Sequence, residues 1–137
     1  MEIQNSQKEY RSNDTTVFSC QYHVVFCPKY RRSVLVDGID VRLKELAKSF
    51  CNEHEYVLLD IEVMPDHVHM LIDIPPAECV RNVVTRLKGF LAHELRAEFR
   101  KLKTRLPSLW TRSCFISSVG AVSLEVVKRY IENQKNK

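Results

Sequence analysis

Asp66-His67-Val68-His69-Met70-Leu71-Ile72 is the stretch whose residue types and spacing are best suited to chemistry. A period of two sends Val68, Met70 and Ile72 to one face of a strand and His67 and His69 together to the other. Two imidazoles side by side can chelate one divalent ion and leave room for further ligands. The same pattern also describes exposed strand histidines that hold no metal. Near the end of the chain, Tyr130 and Gln134 stand four residues apart, beside Val127 and Ile131. On a helix the phenol and the amide then share a face. If that helix covers the face bearing the histidines, the four side chains meet; otherwise Tyr130 is a packing residue.

The elements that must bring these groups together follow from periodicity. Residues 15–27 alternate, with Phe18, Cys20, Tyr22, Val24 and Phe26 on one side, which predicts a first strand closed by Pro28. The basic loop Lys29-Tyr30-Arg31-Arg32 and an Asp37-Gly38 turn follow. Leu43, Leu46, Ala47, Phe50 and Cys51 then recur at helical spacing behind Asp40 as N-cap, with the helix ending near His54. Val57, Leu59, Ile61 and Val63 alternate with Leu58, Asp60, Glu62 and Met64, which predicts a second strand. Pro65-Asp66 punctuates before the histidine strand, which Pro75-Pro76 ends.

Val80, Val83, Val84, Leu87, Leu91, Leu95, Phe99 and Leu102 draw the apolar stripe of one long helix. Residues 113–119 lean toward a strand, Gly120 breaks it, and Leu124, Val127 and Ile131 mark a closing helix that Ser123 can cap. The expected class is α+β: a ferredoxin-like β-α-β-β-α-β antiparallel sheet with an additional C-terminal helix carrying the tyrosine. Both crossover helices then lie on one sheet face, and the other face is left for the last helix or a second subunit.

The 137 residues form a single expected domain, 1–137, with 1–14 as a flexible N-terminal arm and 121–137 as the tyrosine helix. A chain this long buries roughly two-thirds of its unfolded surface and needs no staple to hold a core. The five cysteines are an odd count without a C-x-x-C pair and read as free thiols. No apolar run approaches membrane-spanning length, which predicts a cytoplasmic protein with no membrane partner. The formal charge is +4, yet residues 78–105 hold eight basic against three acidic residues, so this segment exceeds the whole excess. A basic segment on a near-neutral body marks either a solvated helix or a nucleic-acid surface.

Together these motifs resemble the HUH single-tyrosine transposases, the TnpA-type enzymes of small bacterial and archaeal insertion sequences that move as single-stranded DNA. The resemblance runs through Tyr22-His23-Val24-Val25-Phe26-Cys27-Pro28-Lys29-Tyr30-Arg31-Arg32, Met64-Pro65-Asp66-His67-Val68-His69, Leu106-Pro107-Ser108-Leu109-Trp110 and Lys128-Arg129-Tyr130-Ile131-Glu132-Asn133-Gln134. It implies that Tyr130 is the catalytic nucleophile, attacking a phosphodiester to leave a 5′-phosphotyrosine and a free 3′-hydroxyl. It implies His67, His69 and Gln134 as ligands of Mg²⁺ or Mn²⁺, with no ATP. The implied substrate is single-stranded DNA with end hairpins, contacted by Lys29, Tyr30, Arg31 and Arg32 on the first loop and by Arg86 and Lys88 on the long helix. The implied assembly is a homodimer, with the active site shared between subunits if the tyrosine helix crosses over, and nucleoid-associated when bound to DNA. A domesticated, non-catalytic hairpin-binding protein on the same scaffold is the alternative.

Overall fold

The computed structural model describes residues 10–120 and 131–132. A two-stranded ribbon, β1 (Arg11–Ser12) with β2 (Val17–Phe18), precedes the main sheet. The sheet consists of β3 (Gln21–Phe26), β4 (Val57–Met64), β5 (His67–Asp73) and β6 (Phe115–Ser118), in the spatial order β4-β5-β3-β6 with every pair antiparallel. Strands β3 and β4 both run against β5, so the connection through α1 (Ile39–Glu53) steps over β5. The connection through α2 (Val80–Glu98) likewise carries β5 to β6 across β3. Two interleaved β-α-β crossovers, joined by the β4-β5 hairpin, are the arrangement the sequence pattern predicts.

The core lies between the helices and one sheet face. Val24, Phe26, Val68, Met70 and Ile72 project from β3 and β5 against Leu43, Ala47 and Phe50 of α1 and Val84, Leu87 and Leu91 of α2, all buried. At roughly 1.5–3 kcal/mol for each large apolar side chain removed from water, this layer dominates the favourable side of folding. It also fixes which way β5 faces, because a one-residue slip would put the histidines into the core.

Local chemistry moves several boundaries. The expected strand over 15–27 is split: β2 pairs with β1, and β3 begins only at Gln21. Residues 11–12, expected within a flexible arm, are pinned, since Arg11 donates two hydrogen bonds of 2.9 and 2.7 Å to Asp73. The N-cap of α1 is Gly38 at φ 93°, a left-handed conformation that costs glycine nothing, and Asp40 instead lies in the first turn, where its charge suits the helix dipole. In β4 the register slips between Leu58 and Asp60. This bulge turns Leu58, Ile61 and Val63 toward the core, breaking the alternation expected from Val57 and Leu59. The long helix is interrupted at Phe99 (φ −120°, ψ 98°), and α3 (Arg100–Thr104) continues after it.

Candidate active site

The sheet face opposite the helices carries the histidines. His67 and His69 point there from β5, and His23 joins them from β3, all three half-buried. Glu62 and Met64 of β4 stand opposite His69 and His67 in register, and Ser117 of β6 stands opposite His23. Strand β5 lies between β4 and β3, so the imidazoles sit over the interior of the sheet.

The two motif histidines are held differently. Strands β4 and β5 are joined by the tight turn Pro65-Asp66, with Met64 paired to His67. From that turn Asp66 reaches back so that His67 Nδ1 lies 2.9 Å from its Oδ1, while Arg31 Nη2 donates to its Oδ2 at 2.9 Å. The bonds from His67 and then Arg31 hold the Asp66 carboxyl below its ordinary range, which keeps it an ionised acceptor. His67 must therefore supply the proton from Nδ1, so that in the neutral ring the lone pair that a metal or an acid requires falls on Nε2.

His69 Nε2 instead lies 3.2 Å from His23 Nδ1, with the rings tilted by 41°. Burial, and after it the neighbouring His23, lower the His69 pKa and favour the neutral, ligating form. Two imidazoles on one face, one of them backed by a carboxylate, are in their neutral forms a donor set suited to a divalent first-row ion. Among the described residues no group of three or more His, Cys, Asp and Glu side chains is arranged to hold a metal, and two imidazoles by themselves could fill only part of a coordination shell. Tyr130 and Gln134, with most of the helix expected over 121–137, lie outside the described residues. Ile131 and Glu132 are helical and exposed.

The basic residues separate into two groups. Lys29–Arg31 form a 3-10 turn after β3, with Tyr30 and Arg31 at φ 59° and 50°. Lys29 Nζ sits 5.6 Å from the centre of the largely exposed Tyr30 ring, and Arg32 is exposed. Arg31 links this loop to the histidine strand through Asp66, and Leu35 N–H donates to Pro65 O at 3.0 Å from the same segment.

Arg86 and Lys88 are on the helical layer and do not join the histidines. Arg86 donates to Tyr56 Oη and Glu78 at 2.9 and 3.0 Å. Lys88, expected to contact phosphate, is engaged inside the protein. Its side chain is buried, and Nζ donates to the carbonyls of Thr111 and Ser113 at 2.8 and 3.0 Å. Lys88 stands four residues after Val84 and so shares the inward face of α2. Sequence reasoning passed over Asp66 as turn punctuation and gave His23 no role. The only signal for His23 was its place on the polar side of an alternating strand.

The match to the IS200-like transposase family model spans residues 16–134. The chain is 32% identical over 123 residues to the ISDra2 transposase TnpA of Deinococcus radiodurans, covering 88% of each chain. It is 31% identical over 121 residues to the transposase for insertion sequence element IS200 of Salmonella typhimurium, covering 87% of this chain and 79% of that one. A crystal structure described as a transposase from D. radiodurans superposes with a TM-score of 0.75 at 31% identity, covering 90% of this chain and 97% of the other. A REP-associated tyrosine transposase, solved bound to a REP hairpin, gives a TM-score of 0.56 at 14% identity, covering 91% and 67%, and supports the fold alone. Among the described residues no helix is long and apolar enough to cross a membrane.

Proposed function

Because the chain belongs to the IS200-like transposase family, whose members cleave DNA and transfer strands, we propose that it cuts and rejoins single-stranded DNA at the ends of an insertion sequence with Tyr130 as nucleophile. The observation that carries this reading is the pair His67 and His69 on the open sheet face, with His67 Nε2 freed by the Asp66 contact at Nδ1. The family match, running from residue 16 to residue 134, takes in both histidines, Tyr130 and Gln134.

The Tyr130 oxygen attacks phosphorus, the bond from phosphorus to the 3′ oxygen breaks, and that oxygen leaves with the electron pair and takes up a proton. One DNA end is then a free 3′-hydroxyl and the other an ester on Tyr130. A 3′-hydroxyl attacking that ester reverses the chemistry, so the bond energy is conserved and no ATP is consumed. Ionising a phenol of ordinary pKa near 10 at pH 7 costs about 4 kcal/mol, which the site must offset. His67, His69 and Gln134 would hold Mg²⁺ or Mn²⁺, which supplies polarisation of the scissile phosphate and charge neutralisation at the departing oxygen.

Lys29, Tyr30 and Arg32 are the residues we assign to phosphate and base contacts on an end hairpin. They form an exposed basic turn with one aromatic ring. The active enzyme is a homodimer in which the tyrosine helix of one subunit serves the histidines of the other.

The direct test incubates the chain and Mn²⁺ with labelled single-stranded DNA taken from the flanks of its own gene. A covalent protein-DNA band on a denaturing gel, absent with Tyr130→Phe, is the expected result. Cleavage that persists in Tyr130→Phe overturns the assignment. Mixing Tyr130→Phe with His67→Ala tests sharing, because only a composite site restores cleavage.

A further inference from the structure

The Asp66 carboxylate has two oxygens, and each has one partner: His67 Nδ1 at Oδ1 and Arg31 Nη2 at Oδ2, both at 2.9 Å. The three side chains come from different parts of the chain, 35 residues separating Arg31 from Asp66. Building on the cation-dependent reading above, we propose that Asp66 is the positioning residue of the site. It locks His67 into the tautomer with hydrogen on Nδ1 and the lone pair on Nε2, and Arg31 serves as its counter-ion instead of as a contact to DNA.

A ligating imidazole works when its other nitrogen is anchored, because the anchor fixes both tautomer and ring rotation and strengthens the lone pair. A lone carboxylate beside a histidine can swing away, and here two features prevent that. The tight turn Pro65-Asp66 fixes the backbone beside His67, and the planar Arg31 guanidinium occupies the second oxygen. Arg31 is itself constrained. It lies in the left-handed region at φ 50° next to Tyr30 at φ 59°, and the segment that follows is tied to the same turn by the Leu35–Pro65 hydrogen bond. Such backbone conformations cost non-glycine residues free energy and persist where the surroundings hold them. The basic turn and the histidine strand are thereby connected through one carboxylate, so a shift of the turn moves the support of His67.

The first measurement needs no metal. In ¹⁵N-labelled, metal-free protein at a pH where His67 is neutral, the His67 ring resonances should report hydrogen on Nδ1. In Asp66→Ala they should move to the Nε2-H form, while the far-ultraviolet circular dichroism is retained. A residue that merely shapes the turn would leave the tautomer unchanged.

The second measurement is Mn²⁺ affinity by calorimetry. Asp66→Ala should weaken binding about 10- to 100-fold, the usual effect of removing an anchor of this kind. Asp66→Asn, which keeps an acceptor oxygen but no charge, should fall between it and the unaltered chain. Arg31→Gln should also weaken binding, by less than Asp66→Ala. An unchanged tautomer, or equal Mn²⁺ affinity in the unaltered chain and Asp66→Ala, overturns the inference while leaving the cation-dependent reading in place. If the unaltered chain and His67→Ala both bind no Mn²⁺, the cation-dependent reading fails, and the inference built on it fails too.

Discussion

His23 Nδ1 lies 3.2 Å from His69 Nε2, although the two residues are not register partners: His23 pairs with Leu71, and His69 with Val25. The contact is diagonal across β3 and β5, within the reach of long side chains on one face of a sheet. One nitrogen donates and the other accepts, so the pair shares a single proton when both rings are neutral.

Replacing His23 with Gln should raise the His69 pKa while leaving it below the ordinary 6.5. Burial is the larger cause of its depression and survives the change, whereas the repulsion from His23 does not. Proton NMR titration of the ring carbons in metal-free protein measures this. An identical pKa in both proteins would mean that the rings do not interact.

Lys88→Met should destabilise the fold by about 2 kcal/mol, because it strips the Thr111 and Ser113 carbonyls of their donor. Urea unfolding followed by Trp110 fluorescence is a suitable measurement, since Trp110 Nε1 donates to the Lys88 carbonyl at 3.0 Å. A variant of unaltered stability whose DNA binding becomes less salt-dependent would instead restore Lys88 as a phosphate contact.

Arg11→Met should cost about 3 kcal/mol at pH 7, since it leaves the buried Asp73 carboxylate without its cation. Burial outweighs the Arg11 pair and already pushes the Asp73 carboxyl above 3.8. The folded state therefore takes up this proton at a higher pH than the unfolded chain does. Protonation favours the folded form, and what Asp73 contributes in that form is lost as pH rises through its folded pKa. The cost of the substitution should accordingly shrink as pH falls toward 4. Unfolding curves at pH 7 and pH 4.5 compare the two, and equal losses at both would show that Asp73 carries no charge when Arg11 is removed.

Thiol labelling at pH 8 should modify the exposed Cys79 first and leave Cys51 untouched until the chain unfolds. The Cys51 thiol is buried in the core and pushed up to about 12, so almost no thiolate is present to react. Mass spectrometry of partially labelled protein gives the order, and early labelling of Cys51 would show that α1 opens in the native state.

Much of the architecture could be read from periodicity because the core imposes it. The alternation of Val68, Met70 and Ile72 against His67 and His69 is the alternation of buried and open faces in β5. Periodicity does not register events that preserve spacing. The stripe through Leu95, Phe99 and Leu102 keeps helical intervals across the break at Phe99. In β4, one extra residue at the bulge turned the later side chains over.

Register was equally hidden. Nothing local to the segment around His23 says that β3 lies beside β5, so its meeting with His69 depends on two crossovers. Asp66 was legible as a turn residue, whereas its grip on His67 depends on a side chain folding back toward the strand it precedes.

The strand order β4-β5-β3-β6 has a kinetic consequence for the histidines. His23, His67 and His69 belong to β3 and β5, each laddered on both sides, while β4 and the four-residue β6 form the outer margins. Local opening begins at such margins and reaches doubly bonded strands last. In deuterium oxide, the backbone amides beneath His23 and His69 should be among the slowest to exchange, keeping their platform rigid while segments around it fluctuate.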